Sequence, residues 1–341
     1  MPKISVLTAT YDRASILPRA LNSVQQQTFD DYEHIVVDDG STDDTEQVVR
    51  DHAHDRLRYF RLEENQGPGT ALNHGIGKAN GEYISILDSD DMYLQERLER
   101  TNDVLDSQPL TVGGVFHGFY QTETTDEQGT RCSVREGKVT RSDLTVRNPT
   151  RGHSNLLYRA TVFEQVDGYD EDLVSAIDYD FLLRTAEQFD WVGIDEPLLV
   201  RKESTDGIQN DPAKVRRGQE QFLAKHEDIL TPEAVAKRHR RAGTACLQLG
   251  ERESARAHFE KGIERGPPER RAGLHQMIGL AYLEHDHKRK ARHHFGRALR
   301  RGSLDLQKLV LLGITLFPVS GGTSYHTLKH LHDTLQGSPT G

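Results

Sequence analysis

The sequence is poor in cysteine, and its two cysteines exclude the usual cysteine-based sites. Cys132 and Cys246 are too few and too far apart in the chain for a disulfide framework or a structural zinc site. A chain without a disulfide framework is typical of a reducing compartment.

The sequence also lacks a hydrophobic run long enough to span a membrane. The longest apolar run, residues 309–319, is interrupted by glycine, threonine and proline, and it falls short of the ~20 residues that a spanning helix needs. Residues 1–3 lead directly into a strand pattern, so we expect no signal peptide. These absences predict a cytoplasmic protein.

Basic residues are scarce before residue 232 and abundant after it. From residue 232 onward, 19 Lys and Arg accompany 10 Asp and Glu, whereas the preceding residues hold 24 Lys and Arg against 43 Asp and Glu. A chain of 341 residues is long enough for two domains of roughly 100–200 residues each. We predict an α/β domain over residues 1–230 and a basic helical tail over residues 231–341, with different partners. The acidic body argues against nucleic acid as a partner.

Strand and helix patterns alternate at the start of the chain. Such alternation predicts a mainly parallel sheet with helices on both faces. Ligands of these sheets bind beyond the carboxyl ends of the strands. The strands are predicted at 4–10, 34–37, 57–62 and 84–87, and the helices at 15–27, 41–49 and 67–79.

Three aspartates, Asp88, Asp90 and Asp91, follow the fourth predicted strand within four positions. Their mutual repulsion costs free energy unless a positive charge lies among them. A divalent cation would supply that charge, and clustered carboxylate oxygens suit Mg²⁺ or Mn²⁺. An Asp-rich turn that caps the next helix is the alternative, since aspartate favours both positions. This stretch alone leaves both interpretations open.

Four segments resemble, in the right order, the motifs of family 2 glycosyltransferases. The resemblance is close over residues 3–93 and looser to about residue 205. It implies the GT-A fold, in which a nucleotide-binding α/β sheet is joined to a more variable acceptor-binding half. The segments read VLTATYDR at 6–13, VVDDGSTD at 36–43, NQGPGTALNHGI at 65–76 and ANGEYISILDSDD at 79–91.

The resemblance implies a site for a nucleotide-sugar donor and a divalent metal, Mn²⁺ or Mg²⁺. A bound cation stabilises the charge that develops on the leaving diphosphate. By this resemblance, the donor contacts are Tyr11, Asp38, Asp39, Asn73 and Asp88, and the metal-diphosphate contacts are Asp90 and, as a further candidate, Asp91.

A later segment, residues 176–184, resembles the family signature in which a Glu-Asp pair opens a helix and the Asp is the catalytic base. Here Ile177 replaces the glutamate, and Asp178 matches the base. An inverting transferase needs such a carboxylate to accept the proton of the attacking hydroxyl. The alternative role of Asp178 is to place a favourable charge at a helix N-terminus. Residues 202–204 read Lys-Glu-Ser where many relatives carry a metal-binding histidine.

Two other patterns have simpler explanations. Gly67-Pro68-Gly69 has Leu72 where a dinucleotide-binding fingerprint would have its third glycine, so a tight entry to the helix that carries Asn73 is the better interpretation. His153 is interpreted as an ordinary loop histidine.

The tail contains an internal repeat at an offset of 36 residues. The segment 243–247 recurs at 279–283, and the segment 255–259 recurs at 291–295. The offset is close to the tetratricopeptide period of about 34 residues. We therefore predict two tetratricopeptide-like helical hairpins over 232–302, followed by helices at 304–317 and 325–335.

Seven basic residues lie within 288–301, beside the apolar segment 304–317. Such a surface suits an anionic membrane. A solvated helix face is the alternative, and both stay open.

Together these patterns predict a metal-dependent, inverting transferase that moves a hexose from a nucleotide-sugar to a growing glycan. The tail makes a lipid-linked acceptor at the inner face of the cell membrane an attractive hypothesis. A repeat-based adaptor that retains the donor-binding fold without catalysis is the alternative.

Overall fold

The computed structural model describes residues 1–122, 129–202 and 210–301. The chain divides into two compact units, Met1–Gly207 and Ile208–Gly341. The helices predicted at 304–317 and 325–335, together with residues 203 and 204, lie outside the described residues.

The first unit is built on one mixed sheet of ten strands, in the order β3-β2-β1-β4-β9-β6-β10-β5, with β7 on β6 and β8 on β10. The strands are β1 (Ile4–Thr10), β2 (Tyr32–Asp38), β3 (Leu57–Arg61), β4 (Tyr83–Ile86), β5 (Met92–Tyr93), β6 (Val112–Thr122), β7 (Thr130–Cys132), β8 (Gly137–Val139), β9 (Leu156–Arg159) and β10 (Asp190–Lys202).

The predicted α/β fold is confirmed, and its N-terminal half is parallel throughout. β1 pairs in parallel with β2 and β4, and β2 pairs in parallel with β3. β9 is antiparallel to both β4 and β6, and β6 is again parallel to β10. The carboxyl ends of β1, β2 and β4 therefore lie at one edge of the sheet.

Seven helices accompany the described sheet. In the first of them, Leu17, Ala20, Leu21 and Val24 are buried at the spacing of one helical face, which packs into the core. The helices are α1 (Leu17–Gln25), α2 (Thr45–Asp51), α3 (Pro68–Ile76), α4 (Arg97–Asp106), α5 (Arg141–Leu144), α6 (Thr161–Val166) and α7 (Ile177–Thr185).

The second helix begins later than predicted, at Thr45 instead of residue 41. The Ser41 hydroxyl accepts a hydrogen bond from the Asp12 amide at 2.9 Å, and the Ser41 amide donates to Asp38 at 2.8 Å. Ser41 thus joins two loops and does not cap a helix.

The described part of the second unit is all helical, as predicted from residue 231 onward. It contains a short 3-10 helix, Pro268–Arg270, and five α-helices: α8 (Pro212–His226), α9 (Pro232–Gln248), α10 (Arg252–Arg265), α11 (Arg271–Glu284) and α12 (Lys288–Arg301). The predicted domain boundary at residue 230 falls between α8 and α9.

The 36-residue repeat of the sequence is also a repeat of contacts. A Cβ added at Gly243 would lie 2.5 Å from the Phe259 ring, and one added at Gly279 would lie 2.5 Å from the Phe295 ring. Two histidine pairs repeat in the same way: the Nδ1 atoms lie 3.1 Å apart in His239–His258 and 3.0 Å apart in His275–His294. The tetratricopeptide resemblance itself stays a prediction.

Within the ranges that the structure describes, every helix is too short or too polar to cross a membrane.

Candidate active site

The loops that follow β1 and β2 are fastened together at the carboxyl edge of the sheet. Asp12 adopts a left-handed backbone conformation, with φ of 49°. Its Oδ1 accepts the Thr42 amide at 2.6 Å. Tyr11, next to this turn, is 40% exposed, and the charge of Asp12 raises the pKa of its phenol. The predicted donor residue Tyr11 is therefore accessible on a fixed loop.

The neighbouring residues Asp38 and Asp39 are both buried, and both use their carboxylates within the fold. Asp38 accepts the Tyr59 hydroxyl at 2.6 Å. Asp39 accepts the backbone amides of Gln66 and Gly67, each at 2.8 Å. Burial raises the pKa of Asp39, against the effect of these two amides. The two carboxylates shape the loops at the carboxyl edge of the sheet, where we expect the ligand crevice.

The three aspartates after β4 differ in exposure. Asp88 and Asp90 are partly exposed, whereas Asp91 is only 2% exposed. Burial and the charge of Asp88 raise the pKa of Asp90, and Arg13 acts in the opposite direction. Burial raises the pKa of Asp91 to about 7. Arg201 lowers the pKa of both Asp90 and Asp91, but burial outweighs this effect.

Arg201, at the end of β10, lies beside this cluster and was not anticipated from the sequence. Its Nε is 3.7 Å from Asp91 Oδ2, and its Nη1 donates to the carbonyl of Arg151 at 2.9 Å. The guanidinium carbon lies 4.2 Å from the centre of the Phe119 ring. The available signal was a cation directly before residues 202–204, where many relatives carry a histidine.

The cluster fits a metal ion that arrives with a diphosphate. Among the described residues, no three His, Cys, Asp or Glu side chains are grouped so that they could hold a metal. Mg²⁺ in phosphate-transfer sites commonly uses only one or two carboxylates together with substrate phosphate oxygens. Asp88 and Asp90 supply two partly exposed carboxylates.

Asp178 is the second residue of α7 and is 9% exposed. Asn148 donates from its Nδ2 to Asp178 Oδ2 at 2.7 Å, a contact that nothing in the sequence indicated. Asn148 therefore orients the carboxylate in a chain that has Ile177 in place of the family's glutamate. Asp180, two residues later, is fully buried and paired with Arg184 at 2.8 Å.

The charges of Asp178 and of Asp88, in the aspartate cluster, both act on two buried tyrosines. The hydroxyls of Tyr158 and Tyr169 lie 3.4 Å apart. Burial raises the pKa of both tyrosines, and the negative charges of Asp178 and Asp88 raise them further. Both carboxylates are therefore close enough to act on the same two hydroxyls.

Asn73, predicted as a donor contact, joins α3 to the loop before α7. Its Nδ2 donates to the Tyr169 carbonyl at 2.9 Å, and its Oδ1 accepts the Tyr169 amide at 2.8 Å. The His153 ring lies edge-on to the Tyr169 ring, with the ring centres 5.4 Å apart.

Sequence comparison matches residues 5–167 to the family described as "Glycosyl transferase family 2". An uncharacterized glycosyltransferase of Nostoc sp. is 35% identical over 173 residues, which are 48% of this chain and 53% of the relative. The GalNAc(5)-diNAcBac-PP-undecaprenol beta-1,3-glucosyltransferase of Campylobacter jejuni is 44% identical over 102 residues, 29% of this chain and 33% of that protein. The chain thus matches about half, or less, of the length of these curated relatives.

Solved structures share the fold at low sequence identity. S. aureus TarS in complex with UDP-GlcNAc has a TM-score of 0.61 at 22% identity, covering 89% of this chain and 93% of that one. The mannosyltransferase PcManGT from Pyrobaculum calidifontis, in complex with GDP-Man and Mn²⁺, has a TM-score of 0.53 at 20% identity, covering 98% and 85%. Residues 5–167 are therefore similar to glycosyl transferase family 2, the family that the motifs resemble, and the solved structures add that the fold is shared.

Proposed function

We propose that the protein is a metal-dependent, inverting glycosyltransferase that moves a hexose from a nucleotide-sugar to a growing glycan. The observation that carries this proposal is the shared surroundings of two carboxylate groups. Asp88, after β4, and the oriented Asp178 both raise the pKa of the buried Tyr158 and Tyr169. One group suits a metal-bound diphosphate, and the other suits an acceptor hydroxyl.

On the donor side, Tyr11 offers its exposed ring to the nucleoside. Asp39 borders the same place, where its bonds to the 66–67 amides fix the loop. Asp38 and Asn73 act by holding their loops in position, because their polar atoms are used within the fold. Asp88 lies toward the ribose and the diphosphate.

A divalent metal, Mn²⁺ or Mg²⁺, would be held by Asp90 with Asp88 and would stabilise the charge of the leaving diphosphate. Asp91 as a further ligand stays a prediction of the sequence.

On the acceptor side, Asp178 accepts the proton of the attacking hydroxyl. The hydroxyl oxygen forms the new bond to the anomeric carbon while the bond from that carbon to the diphosphate breaks, which inverts the configuration. Asn148 keeps the Asp178 carboxylate oriented for this transfer. The nearly buried position excludes most water, which favours transfer over hydrolysis.

A lipid-linked acceptor is the class that we propose. The Campylobacter jejuni relative is named for action on an undecaprenol-linked glycan. The basic helix α12 would bring the protein to the anionic inner face of the membrane, as a peripheral protein.

The test is binding and turnover of a panel of UDP- and GDP-sugars with and without Mn²⁺. We expect one donor to be hydrolysed slowly and only with metal. Asp90→Asn should abolish metal-dependent binding, whereas Asp178→Asn should bind donor normally but lose turnover. Asp55→Asn, which changes an exposed aspartate outside the crevice, is the matched control.

Two results would contradict the proposal. Absence of donor binding under all conditions would exclude a donor site. Metal-dependent binding with equal, negligible turnover in wild type and Asp178→Asn, even with lipid-linked glycans supplied, would favour the non-catalytic adaptor.

A further inference from the structure

Asp91 differs from Asp88 and Asp90 in what it faces. The other two carboxylates are partly exposed, whereas Asp91 is 2% exposed and its Oδ2 lies 3.7 Å from Arg201 Nε. A cation that enters from the crevice would meet Asp88 and Asp90 first. To reach Asp91 it would have to replace a positive charge that is already there.

Arg201 is held in place from several directions. Its Nη1 donates to the Arg151 carbonyl at 2.9 Å, and its guanidinium lies 4.2 Å from the Phe119 ring centre. Gly152 lies over it so closely that an added Cβ would come within 2.7 Å of Nη2. These contacts hold the Arg201 guanidinium beside Asp91.

The pair is also mutually dependent. Arg201 Nη2 is buried and has no hydrogen-bond partner among the described residues. Asp91 is the carboxylate within ion-pair distance of this largely buried guanidinium, whose charge also acts on Asp90. If Asp91 turned to a metal, it would leave Arg201 as an uncompensated buried charge, which is strongly unfavourable.

We propose that Asp91 is the internal counter-ion of Arg201 and not a metal ligand, and that Arg201 is a positioning residue that limits the site to two metal-binding carboxylates. This inference rests on the proposed function, and it replaces the ligand role that the sequence predicts for Asp91. With only Asp88 and Asp90 available, the cation binds weakly to the free protein and firmly once a nucleoside diphosphate supplies further oxygens. Donor and metal binding are therefore coupled.

The test measures Mn²⁺ binding directly, by electron paramagnetic resonance on the full chain, without nucleotide and with UDP or GDP. In wild type, the nucleotide should tighten Mn²⁺ binding. Asp90→Asn should weaken Mn²⁺ binding about 100-fold, whereas Asp91→Asn should change it little.

Removing the charge of Arg201 should change Mn²⁺ affinity in the opposite direction. Arg201→Gln releases Asp91 as a third carboxylate, so nucleotide-free Mn²⁺ binding should become about tenfold tighter. Arg201→Lys keeps the charge and should remain near wild type. If Asp91→Asn proves too unstable to measure, Asp91→Asn/Arg201→Gln removes both charges, and it should lose the tighter binding of Arg201→Gln.

The outcomes separate this inference from the proposed function. Loss of Mn²⁺ in Asp91→Asn as complete as in Asp90→Asn, with wild type still binding UDP or GDP and metal, would overturn only the role given to Asp91. Unchanged Mn²⁺ binding in Arg201→Gln would also overturn it. A wild-type chain that binds neither nucleotide would overturn the proposed function as well.

Discussion

Asn148 is the residue that the sequence could least have indicated, although it makes the hydrogen bond that orients Asp178. It lies 30 positions earlier in the chain, in a loop after α5. Asn148→Ala removes the donor and leaves a nearly buried carboxylate free to turn. We expect kcat to fall about 10- to 100-fold, with the KM for the donor nearly unchanged.

Steady-state kinetics with saturating and limiting donor measures this split. Asn22→Ala, an exposed asparagine on α1, is the control and should behave as wild type. A rise in donor KM with unchanged kcat in Asn148→Ala would show that Asn148 serves donor binding instead.

Motifs predict the place of a residue along a strand, but they do not predict its contacts with residues that are distant in sequence. The aspartates after β4 could be placed at the crevice because parallel strands end at one edge of a sheet. The partners of Asp38 and Asn73 are Tyr59 and Tyr169, and nothing in the local sequence indicates these contacts. Arg201 was missed for the same reason.

At the scale of elements, the two repeated glycines test the packing of the helical unit. Gly243→Ala or Gly279→Ala would place a methyl group 2.5 Å from a phenylalanine ring, and we expect each to destabilise the unit by about 1–3 kcal/mol. Gly273→Ala in α11 is the control, because its Cβ meets no atom within 4 Å. It should be neutral or slightly stabilising, since alanine favours helix over glycine.

Thermal unfolding followed by circular dichroism at 222 nm compares the three variants. Equal melting temperatures in Gly243→Ala and Gly273→Ala would show that the Phe259 contact can relax without cost.

The repeated histidine pairs predict an acid-sensitive stability. Burial, with a smaller effect of the partner histidine, lowers the pKa of His239 to about 4 and that of His294 to about 3. Lys261 and Arg265 act on His239 in the same direction, and Glu220 contacts His258 at 3.1 Å. The unfolded chain has histidine pKa values near 6.5. Below pH 6.5 the unfolded chain therefore binds protons that the folded unit does not bind. The stability of the helical unit decreases as the pH falls from 6.5 toward 4.

His239→Gln and His294→Gln each remove one such group. Urea unfolding at pH 7.5 and pH 5.0 should show a smaller loss of midpoint in these variants than in wild type. His293→Gln, an exposed neighbour, should retain the wild-type loss. An equal loss in all four proteins would mean that the pairs do not contribute to acid sensitivity.

The elements predicted from a clear period include β1 to β4 and α1 to α3. The antiparallel strand β9 was not predicted. Its four residues, Leu156–Arg159, form a short buried stretch that periodicity cannot assign, and its place between β4 and β6 depends on contacts distant in sequence.

At the scale of the whole molecule, the basic charge of the tail predicts that the protein binds an anionic membrane. Arg289, Arg292 and Arg297 are exposed on α12. We expect the full chain to co-sediment with vesicles that contain phosphatidylglycerol at low salt and to be released at high salt, because the attraction is electrostatic.

Changing these three arginines to glutamine should weaken vesicle binding strongly. Changing Arg252, Arg256 and Lys261 of α10 removes the same charge from another exposed face and is the matched control. Equal binding by both triple variants would contradict a specific role of α12, and absence of wild-type binding would contradict the membrane hypothesis.

The glycine–phenylalanine and histidine–histidine contacts recur at one fixed offset of 36 residues, so each helical pair carries a complete set of its own internal contacts. Such a block can be copied or deleted as a whole without separating these glycine–phenylalanine and histidine–histidine partners. The length of this tail is therefore free to evolve in steps of one block, while insertions of intermediate length would shift a glycine away from its ring.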